Sequence, residues 1–287
     1  MMDRVLRGAL KPFMGRGLGA RIPGISKIYG FVMNKRIGRC EIDGMKMFVD
    51  MEDRIVSNEL FYKGVFEPEE TALLKELVRP GSVFVDVGAH IGYYTLLAAK
   101  RKAKVYAFEP QGGNFSLLKR NVHANGFTNV FLYRKAVSDR GGRKVKLYCN
   151  VSNKGNNSIF AKDVVDKYGE EEVGTATLDG VLGGKKVDLM KIDVEGAEIN
   201  VLKGAGGLIE KNPGMKIVVE FTPAFYGFTA ALPEFLEKKG FSLKVVSGKG
   251  YANLKKLDEK TLKDVIRISR KNAAYNINLL CERQTIN

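Results

Sequence analysis

Short apolar runs alternate with amphipathic stretches along most of this chain, and that alternation narrows the range of folds more than any other feature. Seven runs have the length and composition of buried strands: 82–88, 104–110, 130–138, 187–195, 215–221, 241–247 and 275–282. Helical periodicity at 93–101 and 114–125 separates the early runs, as expected for parallel strands joined by crossover helices. Only 258–271 offers a helix between the last two runs, so that pair is predicted to be antiparallel. The sequence therefore predicts an α/β fold with a seven-stranded, doubly wound, mostly parallel sheet.

A smaller unit precedes this core. The run Arg39–Asp50 alternates around Asp43-Gly44 in the manner of a β-hairpin. The sequence EPEE at 67–70 begins a helix with apolar residues at helical spacing, which Pro80-Gly81 ends. We divide the chain into three segments on this basis: a basic N-terminal segment 1–38, a lead-in unit 39–80 and a core domain 81–287.

Positive charge is concentrated at the start of the chain. The sequence has 47 Lys or Arg and 32 Asp or Glu, a formal net charge of +15, and residues 1–40 contain nine Lys or Arg against one Asp. Apolar residues of the segment 1–38 recur at helical spacing. Two interpretations stand: these faces pack on the protein's own body, or they bind a membrane surface rich in anionic lipid.

No apolar run of the sequence approaches the length that crosses a bilayer, and the first residues lack the apolar stretch of a signal peptide. A cytoplasmic protein is therefore expected, peripheral at the membrane if the segment 1–38 binds lipid. Cys40, Cys149 and Cys281 lie far apart and form no CxxC pair, so neither a disulfide framework nor a zinc site is predicted.

The first core strand runs into a glycine-containing turn, VFVDVGAHIGYYT, which places Asp86, Gly88 and Gly92 where a strand meets a helix. In open α/β sheets, small molecules bind at the carboxyl ends of the strands, and glycine lets ligand atoms approach the backbone. A dinucleotide fits poorly, because the G-x-G-x-x-G spacing is absent and the Asp86 carboxylate would repel phosphate. S-adenosylmethionine fits better, since it carries an ammonium and a sulfonium group and no phosphate.

Glu109 ends the next predicted strand, in KVYAFEP. A carboxylate at this position can accept hydrogen bonds from both ribose hydroxyls of an adenosine, as the acid after the second strand of dinucleotide-binding folds does. The structural alternative is a solvated surface glutamate.

The third motif is KIDVEGAE, which gathers Asp193, Glu195 and Glu198 at the end of the fourth core strand. Methyl transfer to a hydroxyl needs the acceptor in line with the methyl group and a base to take its proton. Asp193 is the first candidate, whereas Glu195 and Glu198 could simply favour the dipole at a helix start. Glu220, which ends the fifth strand, belongs to the same edge or is a paired structural acid. The pattern requires no metal, although acids this close could hold Mg²⁺.

These motifs, in this order, resemble the FkbM-type family of class I S-adenosylmethionine-dependent methyltransferases, which have a Rossmann-like fold. The resemblance covers roughly residues 40–222 and includes GVFEPEE, VDVGAHIGYYT, AFEP, KAVSD and KIDVEGAE. It implies O-methylation of a hydroxyl on a sugar, glycolipid or secondary metabolite, so the acceptor would be a small molecule or a glycan- or lipid-linked group. His90 departs from the asparagine that is frequent in the family.

Carried over position by position, the resemblance implies methionine contacts near Asp86 and Thr95, ribose contacts at Glu109 and adenine contacts at Ala136 and Val137. The predicted cofactor-binding residues are Asp86, Gly88, Ala89, Gly92, Thr95, Glu109, Ala136, Val137 and Asp193. The predicted catalytic residues are Asp193, Glu195 and Glu220.

Segment 150–174 is rich in Asn, Ser and Gly and is predicted to be a loop on the substrate side. Other functions remain as alternatives. The basic charge favours an RNA methyltransferase, but the chain lacks the Asn/Asp-Pro-Pro-aromatic motif used on exocyclic amines and shows no basic aromatic patch for stacking bases. A non-enzymatic membrane-surface module and a nicotinamide oxidoreductase are the other candidates.

Overall fold

In the computed structural model the described residues run from 37 to 283, leaving out 54, 151–156, 161–166, 249 and 251–252. They begin with a hairpin and two helices: β1 (Ile37–Ile42), β2 (Met45–Asp50), α1 (Val56–Lys63) and α2 (Pro68–Leu77). The hairpin turns at Asp43 and Gly44, with φ of 53° and 72°, as a two-residue loop of this composition favours. Apart from its last two positions, the segment 1–38 lies outside the described residues. Its helical faces, and the division of the chain into three segments, stay predictions.

The remaining strands follow in chain order: β3 (Val83–Val87), β4 (Lys104–Phe108), β5 (Val130–Tyr133), β6 (Ala136–Val137), β7 (Lys144–Asn150), β8 (Lys167–Ala176), β9 (Leu189–Ile192), β10 (Lys216–Phe221), β11 (Phe241–Val245), β12 (Lys255–Lys256) and β13 (Ile277–Arg283). The main sheet has the order β12-β11-β13-β10-β9-β3-β4-β5. Its five strands from β10 to β5 are parallel, and β13 is antiparallel to both β10 and β11. The predicted fold class and the antiparallel final pair are confirmed; the added eighth strand, β12, is a two-residue edge strand.

Helices cover both faces of this sheet: α3 (Tyr93–Lys100), α4 (Gly112–Ala124), α5 (Leu178–Leu182), α6 (Glu198–Lys203), α7 (Gly206–Lys211), α8 (Ala231–Lys238) and α9 (Glu259–Lys271), with a 3₁₀ turn at Pro223–Tyr226. One buried cluster joins Met47, Leu60 and Leu74 of the lead-in unit to Phe84 of β3. The other packs the opposite face of the sheet, including Val85, against α5 to α9. Alternate residues of β3 thus belong to different cores, as expected for a strand buried on both faces.

Two predictions about the middle of the chain were wrong. The run 130–138 is two strands, because β5 joins the main sheet whereas β6 joins a small sheet of order β6-β8-β7. The predicted loop 150–174 includes most of β8, which pairs with β7. The polar composition of this strand resembles that of a loop. Its exposed glutamates pair with lysines of β7, while Val173 packs with Leu147 in a small core. The rest of the predicted loop is described only at residues 150 and 157–160.

No helix among the described residues is both long and apolar enough to cross a membrane.

Candidate active site

A cavity of about 640 Å³ lies at the carboxyl ends of β9, β3 and β4. The chain proceeds outward from β3 to β5 in one direction and from β9 to β10 in the other, so the cavity occupies the switch point where open α/β sheets bind ligands. Eight predicted site residues line it: Gly88, Ala89, Glu109, Ala136, Val137, Asp193, Glu195 and Glu220. The structure therefore gathers most of the predicted residues around one volume of the size that small ligands occupy.

The turn after β3 is held by backbone contacts. The amides of Gly88 and Ala89 both donate to the carbonyl oxygen of Phe108, at 3.0 and 2.9 Å. Gly88 has φ of 85°, and a β-carbon there would overlap the carbonyl oxygen of Asp193. Glycine is required at this position because the end of β9 and the turn after β3 approach so closely.

Three predicted cofactor-binding residues stand behind this turn. In the part of the chain that the structure describes, Asp86, Gly92 and Thr95 do not line the cavity. The Thr95 hydroxyl donates to Asp86 Oδ2 at 2.6 Å, and both side chains are buried. Gly92 makes room for Leu118 of α4. These contacts brace the turn, and direct contact of the three residues with a cofactor stays a prediction.

Glu109 lies on the floor of the cavity with its carboxylate held from two sides. The backbone amide of His90 donates to Oε2 at 2.9 Å, and that of Gln111 donates to Oε1 at 2.8 Å. Burial raises the pKa of Glu109 to about 7, although the two amides act to lower it. Each carboxylate oxygen keeps a further lone pair for a hydroxyl donor, so the group fits the ribose hydroxyls of an adenosine.

An apolar slot adjoins Glu109. It is lined by Phe108 and Val137 together with Leu147 of β7 and Ile159, a composition suited to the faces of an adenine ring. Sequence analysis missed Leu147 and Ile159, because they belong to the region predicted as a loop or left unassigned. The only available signal was the alternation of apolar and polar residues in KVKLYCN at 144–150.

Three carboxylates of the cavity lining meet at one place. One oxygen from each of Asp193, Glu195 and Glu220 lies within 4.8 Å of the others, a spacing that could also accommodate a hard cation. Burial raises the pKa of Glu195 and of Glu220 well above the ordinary range, and neighbouring carboxylates raise both further. Asn276 donates to Glu220 Oε1. Within this cluster, Glu195 and Glu220 therefore hold protons more tightly than ordinary glutamates do.

A buried lysine that sequence analysis missed stands beneath the cluster. Lys191 is 3% exposed, and its Nζ lies 2.8 Å from Asp193 Oδ2 and 3.8 Å from Glu70 Oε1. Burial alone would lower the pKa of Lys191, but the carboxylates around it, Asp193 first, raise it well above its usual value. A lysine inside the apolar run LMKI was the one available signal.

Glu198 has a structural role. Its Oε1 accepts the amides of Val194 and Gly196 at 3.2 and 3.1 Å, and Tyr226 donates to Oε2. These contacts hold the loop after β9. They leave Glu195 with φ of 54°, and strained non-glycine residues of this kind concentrate at functional sites.

Comparison with known proteins gives a consistent set of relatives. The profile of the Methyltransferase FkbM domain matches residues 86–243. Methyltransferase 1 of Beauveria bassiana is 28% identical over 190 residues, covering 57% of this chain and 74% of that protein. Methyltransferase sdnD of Sordaria araneosa is 27% identical over 233 residues, covering 66% and 88%. The hexuronic acid methyltransferase AglP of Haloferax volcanii is 29% identical over 150 residues, covering 48% and 56%.

Proposed function

The chain belongs to the FkbM methyltransferase family and uses S-adenosylmethionine, and on that premise we propose that it methylates a hydroxyl group of a sugar, glycolipid or other small metabolite. One observation carries the choice of a hydroxyl: the acceptor side of the cavity is built from carboxylates, Asp193, Glu195 and Glu220. A hydroxyl must lose its proton during transfer, and a carboxylate of raised pKa is a stronger base than an ordinary one.

Each residue of the site has a separate role in methyl transfer. When bound, S-adenosylmethionine supplies a methyl group on a positively charged sulfur. Asp193, which is paired with Lys191, orients the acceptor hydroxyl, while Glu195 or Glu220 takes its proton. Glu109 holds the ribose, and the turn at Gly88 lets the cofactor approach the backbone. The carboxylates also favour a cationic donor over a phosphate-bearing ligand.

A carbohydrate acceptor has further support. The relative AglP is named for the methylation of hexuronic acid, and a carboxylate cluster hydrogen-bonds sugar hydroxyls readily. An RNA acceptor is disfavoured, despite the net charge of +15, because these acids would repel its phosphates; for the same reason a neutral sugar suits the cluster better than an anionic one. The proposed acceptors include lipid-linked glycans.

The test is transfer of labelled methyl from S-adenosylmethionine to three acceptors: methyl glucoside, methyl glucuronide and bulk RNA. We expect label in the sugars, in a form that resists mild alkali as an ether does and an ester does not. Glu220→Gln should lower the rate about a hundredfold. Label in RNA alone, or alkali-labile label alone, would refute hydroxyl methylation of a sugar.

A further inference from the structure

One wall of the cavity comes from the lead-in unit. Residues 55–68 supply the apolar side chains of Ile55, Val56 and Phe66, together with the carboxylate of Glu67 and the Glu59–Lys63 ion pair. The match to the family domain begins only at residue 86, so neither that match nor the cofactor motifs assign this wall a role. This wall and the carboxylate cluster enclose the same space, because Glu67, Glu195 and Glu220 all line the one cavity.

This wall is fixed to the core. The Thr71 hydroxyl donates to the Phe66 carbonyl at 2.6 Å and lies 3.3 Å from the hydroxyl of Tyr93 in α3. Asn121 of α4 exchanges hydrogen bonds with the backbone of Phe48 at 2.6 and 3.0 Å. A wall tied to α3 and α4 in this way can position a ligand relative to the cofactor side of the cavity.

Glu67 is held in a conformation that its sequence disfavours. It has φ of 42° although it carries a side chain and precedes Pro68, and both features oppose a left-handed backbone. The Tyr94 hydroxyl donates to Glu67 Oε2 at 2.7 Å, and Asn278 of β13 lies beside the carboxylate. Three of the six non-glycine residues with positive φ among those described line this cavity: Glu67, His90 and Glu195.

The apolar side of the wall reaches the surface. Ile55 is 44% exposed, and it lines the same cavity as Val56 and Phe66. A single exposed isoleucine needs no explanation, but an apolar strip that runs into a polar site is typical of a binding surface.

We propose that residues 55–68 form the acceptor subsite, in which Glu67 accepts a hydrogen bond from a hydroxyl of the acceptor while Ile55, Val56 and Phe66 contact an apolar part of the same molecule. This inference rests on the proposed function and narrows the acceptor to an amphiphile, such as a sugar with an alkyl or lipid aglycone. Glu67 is then a residue that touches substrate, and the apolar strip determines specificity.

The test uses methyl, butyl, hexyl and octyl β-D-glucopyranoside below their micelle concentrations, titrated into the protein saturated with S-adenosylhomocysteine. We expect affinity to rise roughly threefold for each added methylene that the strip buries. Ile55→Ser should flatten this dependence, and serine is well tolerated at a helix start. Ile268→Ser on α9 is the matched control, since Ile268 is 39% exposed and lies outside the cavity lining.

Glu67→Gln should change the affinity for the sugar and leave the dependence on alkyl chain length unchanged. It should weaken all four glycosides by the same factor, roughly tenfold, without altering the dependence on chain length. The control is Glu69→Gln, an exposed glutamate of the same helix. Equal affinities for methyl and octyl glucoside, a slope unaffected by Ile55→Ser, or no effect of Glu67→Gln would each overturn the assignment.

Binding of S-adenosylmethionine and hydroxyl methylation are measured on the same preparations. If a glycoside is methylated but chain length has no effect, the acceptor subsite is wrong while the proposed function stands. If chain length matters but the methyl group is never transferred to a hydroxyl, the proposed function fails instead.

Discussion

The side of the cavity that we propose binds the cofactor and the side that we propose binds the acceptor, called here the cofactor half and the acceptor half, are built differently. The cofactor half is built mainly from the ends of neighbouring strands, and backbone amides hold Gly88 and Glu109 in place. The acceptor half draws on segments far apart in the chain, including 55–68, 220–225 and 273–276, held mainly through side chains. All of the predicted cofactor residues lie within the matched family domain, residues 86–243, whereas 55–68 and 273–276 lie outside it. The cofactor half, whose ligand the whole family shares, is therefore formed by neighbouring strands. The acceptor half also uses segments that are distant in the chain.

The largest effect should come from the cofactor half. Gly88→Ala places a β-carbon against the carbonyl oxygen of Asp193, so binding of S-adenosylmethionine should fall below detection and the protein should lose several kcal/mol of stability. Gly81→Ala is the control, because Gly81 has a similar φ of 81° but no atom within 4 Å of its β-carbon. It should cost only about 1 kcal/mol. Calorimetric titration and thermal unfolding measure both. Normal binding by the Gly88 variant would contradict a backbone-built cofactor half.

The next effect tests the charge beneath the acceptor half. Lys191→Met leaves Asp193 and Glu70 without their buried cation and should lower the free energy of unfolding by about 3–5 kcal/mol. Methyl transfer should fall more than cofactor affinity does. Lys216→Met on the adjacent strand is the control, since its partnership with Glu282 is partly exposed and should matter by no more than about 1 kcal/mol. Equal losses in the two variants would mean that the buried lysine has no special role.

The ionisation of Glu109 makes the stability of the protein depend on pH. Because its pKa in the folded protein is raised from 4.5 to about 7, its contribution to stability is present below the unfolded pKa and is lost as pH rises to about 7. The loss is on the order of 3 kcal/mol. Glu109→Gln should flatten that part of the unfolding profile and weaken S-adenosylmethionine binding roughly tenfold to a hundredfold. Denaturant unfolding between pH 4 and 8 checks the slope, with exposed Glu210→Gln as control. An unchanged slope in the Glu109 variant would contradict this assignment.

The smallest effect on the cavity should come from the segment 1–38, because every predicted cofactor-binding residue lies between Asp86 and Asp193. Deletion of residues 2–36 should change S-adenosylmethionine affinity less than twofold. If the basic segment binds anionic lipid, the deletion should lower binding to vesicles containing phosphatidylserine roughly tenfold or more. Flotation assays on both proteins measure this, with neutral phosphatidylcholine vesicles as control. Undiminished vesicle binding would refute the membrane role of this segment.

The success of prediction from the sequence also differs between the two halves of the cavity. The seven strands were found because burial on both faces gives each a distinct apolar run, and Gly88 and Glu109 were found because strand ends in this fold carry the ligand. Glu67 was missed as a site residue because its importance depends on β13, which follows more than two hundred positions later. Strand β8 was missed because its exposed face is charged. Lys191 was visible, but no local pattern showed that one of its partners, Glu70, would come from α2.

The position of β13 has a consequence for biosynthesis. This strand is the last in chain order but lies between β10 and β11, so the edges of both remain unpaired until residues 277–283 have left the ribosome. The same stretch brings Asn276 to Glu220 and Asn278 to Glu67. A nascent chain can therefore assemble the cofactor half early, but its acceptor half is completed only when residues from both ends of the described chain meet. An incomplete translation product would lack a finished acceptor site even if it bound the methyl donor.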